Sequence, residues 1–293
     1  MLQFSIIDAP SVFGLRPTGV EVLPEALKAA GLLKQLNAEY TDVVHPKIPY
    51  SSERDRKTMV LNAKAIKEYS RSLAGVVSDV IAKKQFPIVL GGDCSILIGT
   101  LLALRRTGRY GLFFIDGHSD FYQPQASYTG EVADMDLAIV SGRGPDILTN
   151  IDNLKPLVRD RDVVVFGYRD AKQAMIDRSQ DVKDTDMHVF DLPRVKELKI
   201  FPAALMAVKT LLSNQLDGFW IHLDVDVLDD SIMPAVDYRQ SDGISFCDLS
   251  ELLRILIGSK HAVGMTITIF NPRLDSDGSI AKKLVSSIVD GLL

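Results

Sequence analysis

The sequence predicts an α/β protein, a three-layer α/β/α sandwich around a central, mostly parallel sheet. Apolar strand-like runs alternate along the chain with amphipathic helical patterns, and that alternation builds parallel strands joined by crossover helices on both faces. The runs at 87–90, 111–115 and 218–221 are apolar without alternation, as strands buried on both faces are. Each of these runs leads into an acidic motif: Gly-Gly-Asp-Cys at 91–94, Asp-Gly-His-Ser-Asp at 116–120 and Asp-Val-Asp at 224–226. The motifs therefore fall at strand carboxyl ends, where open α/β sheets bind their ligands.

Taken in order, residues 1–8 read as a first strand, since they lack the basic region and long apolar core of a signal peptide. A helix is expected over 24–36, with Pro24 in its first turn, and a second over 53–84 on a long apolar stripe. A third spans 95–106, with Ser95 placed to cap it. Further strands are expected at 163–167, 187–190 and 263–269, and further helices at 202–213, 248–257 and 279–293. The segments 121–136 and 229–245 carry no periodicity and directly follow two of the acidic motifs, so they are expected to wall a pocket.

A chain of 293 residues with 46% hydrophobic and 24% charged content can bury a large core. One domain over residues 1–293 is expected, because the motifs that must meet are spread from 91 to 226 with no linker between them. A formal charge of −5 gives no electrostatic footprint for nucleic acid, so the expected partner is a small molecule. Two cysteines make no disulfide scaffold, and no apolar stretch approaches the roughly 20 residues of a membrane span. A cytoplasmic protein with no membrane contact is the expectation.

The three motifs bring Cys94, Asp116, His118, Asp120, Asp224 and Asp226 to one rim. Six such groups would repel one another or lose hydration without a shared cation, so a metal site is the economical reading. If the chain stays extended, side chains alternate with period two, and Asp116, His118 and Asp120 point the same way. The same alternation puts His222, Asp224 and Asp226 on one face, with His222 a step deeper.

With these motifs the chain resembles the arginase/agmatinase family of manganese-dependent ureohydrolases, whose patterns are Gly-Gly-Asp-His-Ser, Asp-Ala-His-x-Asp and Ser-x-Asp-x-Asp-x-x-Asp-Pro in this order. Similarity extends to Gly19-Val20-Glu21 with Pro24, to Phe166-Gly167-Tyr168-Arg169-Asp170, and to Asn271-Pro272 with Asp275, Asp277 and Gly278. The resemblance implies two Mn²⁺ ions per chain bridged by Asp116 and Asp224. The Cys94 position and Asp120 would complete one ion, His118 and Asp226 the other. It implies a hydroxide held between the ions that attacks a trigonal carbon, and a homo-oligomer, trimer or hexamer.

Four positions depart from the family's pattern. Cys94 stands where the family has a histidine ligand; a softer thiolate shifts preference toward Zn²⁺ or Fe²⁺, and a buried cysteine that merely packs is the bland alternative. His222 replaces the usual Ser or Thr and, lying on the ligand face, is a candidate to supply the imidazole that position 94 lacks, with a supporting or core histidine as the bland alternative. Ile269 aligns with a glutamate that grips a guanidinium, and Ala133 with a proton-shuttling histidine whose nearest titratable substitute is Asp134. The candidate catalytic groups are thus Asp120, Asp134 and His222, and Asp237, Tyr238 and Arg239 are candidates for reading the substrate.

The expected function is hydrolysis of a non-peptide C–N bond in a small amidine, guanidino compound or amide other than arginine or agmatine. A single-zinc deacetylase-like hydrolase and a non-catalytic subunit of the same fold are the alternatives.

Overall fold

The computed structural model describes residues 2–293. Its eight strands are β1 (Phe4–Ala9), β2 (Glu39–Val43), β3 (Phe86–Gly91), β4 (Gly111–Ile115), β5 (Val163–Phe166), β6 (His188–Phe190), β7 (Phe219–Asp224) and β8 (Ala262–Thr268). They form one sheet in the order β2-β1-β3-β8-β7-β4-β5-β6 with every pairing parallel. Two apolar layers cover it. Leu90, Ile115, Leu223 and Ile267 face the helices Leu23–Ala29, Ile200–Leu212, Phe246–Gly258 and Ser279–Leu292. Val89, Phe114 and Trp220 face the helices Ala63–Ala82 and Ile96–Arg105 on the opposite side. This is the three-layer α/β/α sandwich.

The register of the four central strands positions the rim. Leu90 pairs with Ile267, Ile267 with Leu223 and Leu223 with Ile115, one row running across β3, β8, β7 and β4. Because side chains alternate, the row below, Val89, Thr266, His222 and Phe114, points to the opposite face. The residues just past the first row, Asp116, Asp224 and Thr268, start a common rim.

Several element boundaries differ from expectation. The helix expected over 24–36 breaks at Gly31, whose φ of 101° ends one helix and admits a second, Leu32–Gln35. The long stripe from 53 yields a helix only from Ala63, because Asn62 sits at φ 50° and the preceding chain makes the Arg54–Leu61 bridge. Ser95 caps nothing with its side chain; instead Asp93 accepts the Ser95 and Gly14 amides at 2.8 and 3.2 Å. The edge strand β2 was not anticipated, since it is mostly exposed and carries no apolar run. Among the described residues no helix is long and apolar enough to cross a membrane.

Candidate metal centre

Strand ends β3, β4 and β7 deliver the acidic motifs, and each chain segment turns as soon as its ladder stops. Residues 225–227 wind into a 3₁₀ turn, in which Asp224 accepts the Asp226 amide at 2.8 Å. The 116–120 segment is not extended either: Asp116 accepts the His118 amide at 2.6 Å, and Asp120 takes φ 42°. Gly117 is required here, since a Cβ would press on the carbonyl and carboxylate of Asp226. The period-two expectation for both motifs is thereby replaced by two turns, and the ligand atoms sort into two groups.

Cys94, Asp116, Asp120 and Asp224 bring one donor atom each within 4.8 Å of one another, and so do Asp116, His118 and Asp226. Asp116 is common to both groups. All are buried except His118, whose side chain is 23% exposed. The Cys94 thiol donates to Asp224 Oδ2 at 2.9 Å and lies 3.2 Å from Thr268 Oγ1. His118 Nδ1 lies 2.9 Å from Asp226 Oδ2.

The charges at this rim do not balance. Burial first, and the neighbouring carboxylates second, raise Asp116, Asp120 and Asp224 well above the ordinary carboxylate range. Burial likewise pushes the Cys94 thiol up, with Asp224 adding to it. Burial alone would lower His118, but the charge and hydrogen bond of Asp226 outweigh it and raise it to about 9. Asp226 is held below its usual range against the cost of burial by the same partner. One imidazolium thus serves several buried carboxylates, and Asp116 Oδ2 has no hydrogen-bond partner. The donor set of carboxylate, imidazole and thiol oxygen, nitrogen and sulfur atoms fits divalent cations, which would supply the missing charge.

Above the rim opens a cavity of about 630 Å³ whose floor includes His118, Asp120, Asp224 and Asp226. The segment 121–136 contributes Tyr122, Ser127 and Asp134 to its wall, and 229–245 contributes Tyr238 and Gln240. Asp134 accepts from Ser127 Oγ at 2.9 Å, its Oδ1 is buried without a partner, and burial raises it to about 7. Tyr238 donates to Glu131 at 2.7 Å, and Arg16 pairs with the same carboxylate at 3.0 Å. Arg169 borders the cavity but spends its guanidinium on the carbonyls of Asp226, Gln240 and Ser241 at 2.8–2.9 Å, which pins the wall. Leu15, Ala133 and Ile269 give the lining an apolar side. Ile269 holds φ 72°, a left-handed conformation that a β-branched residue adopts only under constraint; its amide donates to Gly92 at 2.9 Å.

Three candidates lie elsewhere. Asp237 is tied to Asn271 Nδ2 at 2.8 Å and to the Thr18 hydroxyl, and Arg239 pairs with Asp230 at 3.4 Å on an exposed surface, so neither lines the cavity. The expectation that they read the substrate is corrected accordingly. His222 is wholly buried beneath the floor, stacked 4.9 Å from Phe114 and bonded to Thr266 Oγ1 at 2.8 Å. Burial lowers it to about 3. It does not line the cavity, unlike the other candidate catalytic groups Asp120 and Asp134. Asp136, fully buried with its Oδ2 3.9 Å from His222 Nε2, went unnoticed in the sequence; it stands inside an apolar run at the start of the helix Asp136–Val140. Asp170 also escaped notice as a support: it holds the Ser119 amide and hydroxyl at 3.0 and 3.1 Å and so steadies the 116–120 turn.

The family model described as the Arginase family matches residues 3–293. An arginase of Staphylococcus aureus (strain COL) is 30% identical over 290 residues, covering 97% of this chain and 94% of that protein. The solved structure of arginase from Bacillus caldovelox superposes with a TM-score of 0.89 at 25% identity, covering 100% of this chain and 98% of that one. Proclavaminate amidino hydrolase from Streptomyces clavuligerus shares the fold, with a TM-score of 0.72 at 18% identity, covering 100% of this chain and 92% of that one.

Proposed function

Since this chain belongs to the arginase family, we propose that residues 1–293 form one metal-dependent hydrolase unit. It cleaves a non-peptide C–N bond in a small linear amidine, guanidino compound or related amide. The observation that carries this reading is the pair of ligand groups sharing Asp116 at the floor of a cavity sized for a small molecule. Cys94, Asp116, Asp120 and Asp224 would hold one ion, and Asp116, His118 and Asp226 the other, two Mn²⁺ by family with Zn²⁺ or Fe²⁺ favoured on the thiol side. When bound, such ions lower the pKa of water enough to supply a nucleophile at neutral pH and offset charge building on the attacked carbon.

The chain's own residues then divide the remaining work. Asp134 lines the cavity with an unpartnered buried oxygen and, protonated near neutrality, donates to the leaving nitrogen in place of the histidine absent at Ala133. Leu15, Ala133 and Ile269 turn an apolar side to the substrate and exclude water. With no carboxylate at Ile269, a guanidinium would be desolvated without a bidentate partner, so arginine and agmatine are not the substrates. Tyr238, fixed by Glu131, contributes the polar contact that Asp237 and Arg239 were expected to give.

A cytoplasmic homo-oligomer, trimeric or hexameric, is part of the same proposal. The Asp116, His118, Asp226 group is complete enough to support a second reading, a one-ion deacetylase-like hydrolase.

The test is turnover of a panel of small amidines and amides by metal-loaded protein, with arginine and agmatine included. Metal-dependent release of urea, ammonia or amine from a member other than those two supports the reading, and efficient arginine turnover overturns the substrate assignment. One ion per chain with acetamide cleavage would shift the balance to the second reading.

A further inference from the structure

Cys94 and His222, two of the residues that depart from the family's pattern, meet beneath the candidate centre. His222 Nδ1 is taken by Thr266, and the ring is stacked on Phe114 at an interplanar angle of 15°, so its orientation is fixed from two sides. That leaves Nε2 buried with no hydrogen-bond partner. Across a gap of 3.9 Å stands Asp136 Oδ2, equally buried and equally without a partner. The gap is too long for a hydrogen bond, so both polar atoms are buried at a desolvation cost that nothing offsets.

A ring nitrogen of His222, the Cys94 sulfur and an Asp116 oxygen all lie within 4.8 Å of one another. Ligands at about 2.0–2.3 Å from a shared ion have mutual distances in this range. With Nδ1 occupied, Nε2 is the nitrogen free to bind.

We propose that the chain has an inner cation position, held by Cys94, His222 and Asp116 with Asp136 as counter-charge, whose sulfur–nitrogen–oxygen donor set selects a borderline-soft ion, Zn²⁺ over Mn²⁺. The position shares Cys94 and Asp116 with the outer group that includes Asp120 and Asp224, so one ion fills one place or the other. Binding releases the thiol proton to solvent, and the thiol's hydrogen bond to Asp224 is given up. The inference rests on the reading of the cavity floor as a metal centre and deepens it by assigning the metal class on the Cys94 side.

The test is titration of the full-length metal-free chain with Co²⁺, followed through the thiolate-to-Co(II) charge-transfer band, on the parent, Cys94→Ser, His222→Gln and His118→Ala. The first equivalent is expected to give the band in the parent and in His118→Ala. The band is lost in Cys94→Ser, and in His222→Gln it shifts while affinity falls at least about tenfold. X-ray absorption of His118→Ala holding one equivalent of Zn²⁺ should find one sulfur and one imidazole, and needs no change at His222. Co²⁺ bound without a thiolate band, or with a band indifferent to His222→Gln and no imidazole in the absorption spectrum, overturns the inner position alone. Failure of the parent to bind Co²⁺ at all overturns the metal centre itself.

Discussion

The Cys94 thiol donates a hydrogen bond to Asp224 Oδ2 at 2.9 Å, joining the ends of β3 and β7 across the intervening strand β8. The contact spans the candidate ion position, because both atoms belong to the same ligand group with Asp116 and Asp120. A protonated thiol satisfies one oxygen of Asp224, and the other accepts the Asp226 amide at 2.8 Å. Asp224 therefore links the floor's sulfur to the turn that carries Asp226.

Replacing that carboxylate should dismantle the centre. Asp224→Asn is expected to abolish Mn²⁺ binding at the outer position that Asp224 shares with Cys94, Asp116 and Asp120, and to reduce activity to background. Elemental analysis per chain reads the first effect directly; an unchanged metal content would refute the ligand assignment.

Cys94→His restores the harder donor of the family at a position walled by carboxylates. Mn²⁺ affinity should rise and Zn²⁺ preference fall, which competition titration between the two ions measures. No change in the order of preference would mean that the thiol only packs.

The pH profile should report Asp134. Burial raises its folded-state value from 3.8 to about 7, so the protonated donor predominates below that pH and is lost above it. The kcat limb assigned to this group accordingly falls as pH rises through about 7. Asp134→Asn should flatten the limb and lower kcat by roughly 10²–10⁴-fold. A limb that survives the substitution belongs to another group.

Ile269→Glu supplies the absent carboxylate beside the cavity. A charge-assisted contact of about 1.5–3 kcal/mol should raise urea release from arginine or agmatine by about ten- to a hundredfold over the parent. Equal rates in parent and variant would show that position 269 does not face the substrate's nitrogen end.

The scaffold offers a separate check at the buried Asp162, which Arg109 holds by two contacts of 2.7 and 2.9 Å. Arg109→Ala leaves that carboxylate enclosed and unpaired just before β5, and should cost about 3 kcal/mol in a denaturant titration. Arg109→Lys should recover part of the loss. Full stability in Arg109→Ala would mean that solvent reaches Asp162 readily.

By itself the sequence determined the central strands and which polar residues gather at their carboxyl edge. The short apolar runs at 111–115 and 218–221, each flanked by glycine or acidic residues, read as strands buried on both faces, and the residues beyond them, Asp116 and Asp224, then emerge at the carboxyl rim. Their spacing after the strands brings Cys94, Asp116, His118, Asp120, Asp224 and Asp226 together as candidate metal ligands. What only the tertiary structure decided was how the chain turns after each strand and which side chains meet across it. The turns at 116–120 and 225–227 divided the set into two groups, because hydrogen bonds from the His118 and Asp226 amides to the preceding carboxylates outcompete an extended path. The exposed strand β2 and the buried approach of His222 to Asp136 carry no local signal; the first is an edge paired only with β1, the second brings together residues 86 positions apart. Asp237 and Arg239 were turned away from the cavity by partners at Asn271 and Asp230 that no spacing in the sequence announces. Local periodicity fixes which residues are buried, whereas contacts between distant segments fix what each buried polar atom faces.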